Sequence, residues 1–159
     1  MNSRVGIIIL RKTAGVFYLG ILAVTAVKDL QTHQIEDKIP ISLAVLALVS
    51  CWLFPEITVI DRIAGAIAVS LPMALLAMKI PGAFGGGDIK LMAACGLFLG
   101  VRDIVTAMIL AVFSGAAYIA VLGIRGKIHE KGQFAFGPFL ALGLAAAFLW
   151  GDKISGLFF

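Results

Sequence analysis

Charge is scarce in this chain of 159 residues. Lys, Arg, Asp and Glu together make up 14% of it, against about a quarter in soluble domains. With 61% hydrophobic residues, such a chain cannot cover itself in polar surface, which excludes an ordinary water-soluble globule and points to a bilayer. No polar stretch is long enough to make a separate soluble domain, and no internal repeat is visible, so one membrane domain over 1–159 is expected. Cysteine is limited to Cys51 and Cys95, each inside an apolar run, and no C-x-x-C occurs. A disulfide framework or zinc ribbon therefore has no support, and both thiols read as small buried apolar groups. The two histidines, His33 and His129, lie far apart in sequence and make no metal-ligand pattern. No metal or organic cofactor is implied. The formal charge of +4 reads as basic loops facing anionic lipid, not as a nucleic-acid surface. Arg11 and Lys12 follow a short apolar stretch without a small-x-small cleavage pattern, so a cleavable signal is not expected at the N-terminus.

What is present is a succession of uncharged runs: Thr13 to Val27 (extended by Val5 to Leu10), Ile39 to Pro55, Ile63 to Met78, Leu91 to Val101, Ile104 to Ile124 and Gly132 to Gly151. These predict an all-α, polytopic membrane protein of six transmembrane helices. The fourth run is roughly half the ~20 residues a full span needs. A short helix after a glycine loop fits a helix interrupted to build a site, because irregular backbone survives at that depth only under protein or in a wet cavity. Pro72 falls inside the third run and is expected to kink it. Gly65, Gly115 and Gly143 read as close helix contacts.

Alternation places the loops Lys28–Lys38, Lys79–Lys90 and Arg125–Lys131 on one face. Lys28, Lys38, Lys79, Lys90, Arg125, Lys127 and Lys131 belong to it, against Arg62, Arg102 and Lys153 opposite, with Arg4, Arg11 and Lys12 near the N-terminus. With the N-terminal cations counted as interfacial, the bias favours a cytoplasmic first face.

Two acids stand out on that face. Asp88 ends the run Gly85-Gly86-Gly87-Asp88-Ile89-Lys90-Leu91, and Asp29 ends the first apolar run. A carboxylate at membrane depth costs free energy and marks a functional site by default. Two such groups that meet cannot both ionise cheaply, so they share a proton near neutral pH. The ionised member can take a proton from water while the protonated member donates to a carbonyl, which is metal-free peptide hydrolysis. Gly86 and Gly87, lacking Cβ atoms, would let a substrate backbone approach, and they tolerate the positive φ of a tight turn. Simpler roles compete: Asp88 as a helix N-cap, Asp29 as an ion-pair partner of Lys28 or Lys38, and Lys90 as a snorkelling cation, a modulator of the acids or a lipid-phosphate ligand. Phe84 either lines a groove or packs. A proton- or ion-coupled transporter and a noncatalytic assembly subunit are the rival functions. The first predicts repeats and a polar path through the bilayer; the second predicts that neither acid matters for cleavage.

The chain resembles the type IV prepilin peptidases, membrane aspartic proteases with a glycine-x-glycine-aspartate signature. Gly85-Gly86-Gly87-Asp88-Ile89-Lys90-Leu91-Met92-Ala93-Ala94-Cys95-Gly96 is similar to the segment of the family's second aspartate. Asp29-Leu30-Gln31-Thr32-His33-Gln34-Ile35-Glu36-Asp37 is similar to that of the first, and Phe136-Gly137-Pro138-Phe139-Leu140-Ala141-Leu142-Gly143 to the last-helix motif. The resemblance implies that Asp29 and Asp88 are the catalytic pair. It also implies substrates of prepilin or pseudopilin type, with a basic leader, a Gly and an apolar helix, cut after the Gly at the cytoplasmic face. The N-terminal region with paired cysteines found in larger members has no counterpart, which implies the short, peptidase-only form. The family often carries Pro where Glu36 stands. Glu36, Asp37 and Glu130 are expected to attract the basic leader, with Glu36 and Asp37 in a substrate-binding role.

Overall fold

The computed structural model describes residues 2–125 and 135–158. Lys127, His129, Glu130 and Lys131, part of the expected face-one loop, lie outside them. Six helices follow one another: α1 (Asn2–Thr32), α2 (Lys38–Leu53), α3 (Val59–Lys79), α4 (Gly86–Leu99), α5 (Val101–Ile124) and α6 (Gly137–Phe158). Within α1 the stretch Gly6–Thr32, together with α3 and α5, is long and apolar enough to cross a membrane, and α2 and Gly137–Gly151 are shorter apolar helices. Large apolar side chains such as Trp52, Ile60, Met78 and Ile124 are more than three-quarters exposed, as suits a surface solvated by lipid. The all-helical, polytopic membrane architecture expected from the apolar runs is the one observed.

The helix ends follow local chemistry. α1 passes unbroken through Arg11 and Lys12, because Arg11 reaches the Leu53 carbonyl and Glu56 and so keeps its charge paired. It ends where His33 turns left-handed, with φ 50°, and donates its N–H to the Asp29 carbonyl. Pro40 sits in the first turn of α2, where its missing N–H costs nothing, and Pro55 follows its end. α3 opens on Thr58, whose hydroxyl accepts from the Asp61 N–H at 3.2 Å. It continues unbroken past Pro72. A single residue, Gly100 at φ 81°, joins α4 to α5, so Arg102 and Asp103, expected in a loop, lie in the first turn of α5. α6 carries Pro138 in its first turn and non-helical backbone at Trp150.

The short helix α4 is the centre of the bundle. Leu91, Met92 and Cys95 are fully buried, and α4 packs on α2, α3, α5 and α6. Two crossings depend on missing Cβ atoms. A Cβ on Gly96 would stand 2.3 Å from the Gly65 carbonyl oxygen, and one on Gly143 would stand 2.3 Å from that of Ala107. These are the small-residue contacts that membrane helices use to approach closely. Gly115 is buried in α5. Cys51, expected to be buried, is only partly so, while Cys95 is buried. α2 and α4 run parallel: Asp37 meets Lys90 at one pole, and Arg62 bridges their far ends at the other.

Candidate active site

Asp29 lies in the last turn of α1 and is 5% exposed. Its Oδ2 accepts a hydrogen bond from the Gly137 N–H at 2.9 Å. That N–H belongs to the first residue of α6, where it has no intrahelical partner and where the helix dipole favours an anion. Only glycine fits there: a Cβ on Gly137 would lie 2.6 Å from Oδ2 of Asp29 and 2.7 Å from its Cγ. Among the described residues Asp29 forms no ion pair with Lys28 or Lys38. Lys28 pairs instead with Glu36.

Asp88 lies in the first turn of α4 and is 9% exposed. Gly85, not Asp88, is the N-cap, with φ −72° and ψ 146°. The Asp88 carboxylate reaches back to accept from the Gly85 N–H at 3.3 Å, a long contact that leaves most of its acceptor capacity free. Asp29 and Asp88, far apart in sequence and on different helices, lie within electrostatic reach, so that the Asp29 charge acts on Asp88. Around them converge the N-termini of two helices, α4 and α6. Phe84, just before the glycines, packs on Phe136, just before Gly137, with ring centroids 5.8 Å apart. Phe84 both packs and lines a cavity: it walls one end of an apolar hollow of about 430 Å³ between α3 and α5.

The glycine run departs from the expected left-handed turn. The positive φ belongs to Gly82 (85°), while Gly86 and Gly87 begin α4 itself. Their carbonyls are therefore committed to the helix, and only their first-turn N–H groups remain as main-chain donors. Substrate pairing through both donor and acceptor, as in a strand, is ruled out at these two residues. Their roles also separate. A Cβ on Gly87 would meet Ile35 Cβ at 2.7 Å, so Gly87 lets the α1–α2 loop lie against α4. A Cβ on Gly86 would meet nothing within 4 Å, so its exposed face is open.

Glu36 and Asp37, expected to attract a basic leader, are exposed and each pairs with a lysine of this chain. Glu36 pairs with Lys28, whose hydrogen bond and charge keep the carboxyl below its ordinary range. Asp37 accepts from Lys90 at 2.6 Å. Lys90 thus ties α4 to the start of α2. Arg62, counted as a loop cation, is buried in α3 at 3% exposure. Among the described residues no group of three or more His, Cys, Asp or Glu is placed to hold a metal ion. The Gly137 donor is not evident from any residue taken singly. Its local signal is a Gly-Pro pair opening an apolar run, which reads as a helix start.

Comparison with known proteins follows the same residues. The model of the type IV leader peptidase family matches residues 16–120, a stretch that includes Asp29 and Asp88. A prepilin leader peptidase/N-methyltransferase of Bacillus subtilis (strain 168) is 32% identical over 139 residues, 87% of this chain and 56% of the relative. Proteins of the same name from Burkholderia pseudomallei (strain 1026b) and Pectobacterium carotovorum subsp. carotovorum are 35% and 33% identical, over 82% and 79% of this chain and 44% and 47% of theirs. The chain thus spans about half the length of the curated relatives it matches. No solved structure matches it significantly. With the family model covering most of the helical bundle and both acids, the chain belongs to the type IV leader peptidase family.

Proposed function

We propose that this chain is a membrane aspartic endopeptidase that removes the short basic leader of prepilin-like or pseudopilin-like proteins. Cleavage follows a Gly at the cytoplasmic face of the inner (plasma) membrane, in service of type IV pilus assembly or protein secretion, and 1–159 acts as one peptidase domain. What supports the reading is that two carboxylates, Asp29 and Asp88, are each buried within electrostatic reach of one another in a helical bundle that belongs to the leader peptidase family.

The chemistry is general acid–base hydrolysis. With one proton shared between the two carboxyls, the ionised member takes a proton from a water and the other donates to the carbonyl oxygen of the scissile bond. The hydroxide adds to the carbonyl carbon, the tetrahedral intermediate collapses, and the departing amine takes a proton from the pair. The apparent pH limbs belong to the pair and not to either residue. Gly137 orients Asp29 through its N–H, and the α6 N-terminus supports negative charge there. Gly86, with open space above it, is where the substrate backbone approaches, and Gly87 shapes that approach by letting Ile35 close in. Glu36 and Asp37 receive the leader's cations by exchange with Lys28 and Lys90, an exchange that costs little because both pairs are exposed. The basic residues of the same face support its cytoplasmic orientation, and anionic lipids are their partners.

The test is co-expression with a prepilin-like substrate and sequencing of its new N-terminus. Asp29→Asn and Asp88→Asn each abolish cleavage while membrane insertion persists. Normal cutting by either variant removes that residue from the pair and favours the assembly-subunit reading.

A further inference from the structure

Arg62 is a full positive charge buried in a membrane bundle, 3% exposed, and nothing in the chemistry above uses it. Its six hydrogen bonds run to carbonyl and hydroxyl oxygens. Nε donates to the Ile57 carbonyl at 3.3 Å. Nη1 donates to Ser50 Oγ at 2.8 Å and to the carbonyls of Leu97 at 2.9 Å and Phe98 at 3.4 Å. Nη2 donates to those of Ser50 at 3.3 Å and Phe54 at 3.1 Å. Ser50 and Phe54 lie at the C-terminal end of α2, and Leu97 and Phe98 at that of α4. The guanidinium therefore sits where two helix C-termini converge, at the negative ends of two dipoles; the Leu97 and Phe98 carbonyls there lie in the last turn of α4, beyond the reach of an intrahelical N–H, while those of Ser50 and Phe54 already accept one backbone N–H each and use a second lone pair. A planar fork of five N–H groups suits this arrangement, and an ammonium does not.

The two clamped helices differ in what else can fix their depth. α4 has 14 residues, about 21 Å of helix at 1.5 Å per residue, against a hydrocarbon core of about 30 Å. Hydrophobic matching cannot set the depth of so short a helix, so its register depends on what it touches. At its far end Phe98 packs among the rings of Tyr18, Phe54 and Phe148, but the polar clamp and the close backbone crossing, Arg62 and Gly65–Gly96, are both supplied by α3. Asp88 stands at the opposite end of the same rod, about 15 Å along the axis from Phe98. A slip of α4 by one residue moves Asp88 about 1.5 Å and turns it about 100°, away from Asp29.

We propose that Arg62 is a positioning residue for the acid pair: by binding the C-terminal carbonyls of α2 and α4 together, it sets the depth and rotation at which Asp88 faces Asp29. The inference rests on the reading of these two acids as the working pair.

The experiment uses full-length Arg62→Met and Arg62→Lys in proteoliposomes with a prepilin-like substrate, and reads kcat and KM separately on inserted, folded protein. Arg62→Met lowers kcat on the order of 10²-fold, the effect of a misplacement near 1 Å, with KM little changed. Arg62→Lys restores part of kcat, because it keeps the charge but loses the fork. A second readout is independent of activity. In a Cys51→Ala, Cys95→Ala background, Asp29→Cys and Asp88→Cys are bridged by a short bifunctional thiol reagent, and Arg62→Met slows that bridging. An unchanged bridging rate in folded Arg62→Met protein overturns the proposal, and so does an unchanged kcat. If Asp88→Asn still cleaves substrate, the reading of the acid pair fails instead, and the bridging rate alone decides the role of Arg62.

Discussion

Replacing Gly137 by Ala tests how tightly Asp29 is held. The added methyl carbon would lie 2.6 Å from Oδ2, 2.7 Å from Cγ and 2.8 Å from Cβ of Asp29. Ordinary contacts between such atoms begin near 3.5 Å, so either the carboxylate or the start of α6 must retreat by roughly 1 Å. Neither moves freely, because the acid is 5% exposed and the Gly137 N–H is bonded to it at 2.9 Å. Overpacking of this kind costs about 1–3 kcal/mol, and loss of a hydrogen bond to a charged acceptor about 1.5–3 kcal/mol. The two are alternatives as much as additions, since a shift that relieves the clash breaks the bond. A destabilisation of about 2–3 kcal/mol is expected, read as a lower Tm in detergent. A displacement near 1 Å at a reacting group costs about 10²-fold in rate, so kcat falls much more than the fraction of folded protein. The assay is leader cleavage by purified protein at a temperature where parent and variant are both folded, followed by mass spectrometry. A Gly137→Ala protein with parental kcat and Tm would refute the argument that this glycine exists to admit the Asp29 carboxylate.

Three further outcomes follow from the same geometry. Gly86→Ala should fold like the parent and raise KM, whereas Gly87→Ala should lower Tm because its methyl meets Ile35 at 2.7 Å; thermal melts beside KM separate the two, and equal behaviour contradicts the division of roles. Gly96→Ala should destabilise the bundle by several kcal/mol, since its methyl would lie 2.3 Å from a backbone oxygen that cannot rotate away; an unchanged melt argues against this crossing. The Lys28–Glu36 pair holds the Glu36 carboxyl below its ordinary range, so its contribution is present at neutral pH and fades as the pH falls through that lowered value. Lys28→Met should return the Glu36 titration upward to the ordinary carboxylate range, as followed by NMR, and an unmoved midpoint would deny the pairing.

Much of this bundle is legible in the chain because lipid enforces a simple rule: apolar runs become helices. The six runs and the two acids at one pole needed nothing more than their spacing. What could not be read are the contacts made by charged groups across the sequence. Arg11 and Lys12 look like a break in the first run, yet α1 continues because Glu56, 45 residues away, answers Arg11. Lys90 and Asp37 are 53 residues apart, and Arg62 looks like a loop cation until α2 and α4 present their carbonyls to it. The fourth helix begins at Gly86 rather than Leu91 for a related reason. Glycine costs about 1 kcal/mol within a helix, but in a first turn the packing of Gly87 on Ile35 and the reach of Asp88 to Gly85 outweigh that preference. Propensity describes the residue alone, and tertiary contact decides its conformation.

The account depends on Asp29 and Asp88 acting as one unit, and a double-substitution cycle on kcat addresses that most directly. Groups that share a proton and a water lose nearly everything when either is removed. Asp29→Asn, Asp88→Asn and the double variant should therefore show the same residual cleavage, within error, in protein that remains folded and inserted. Losses that multiply in the double variant, or a single variant that retains near-parental cleavage, would contradict it.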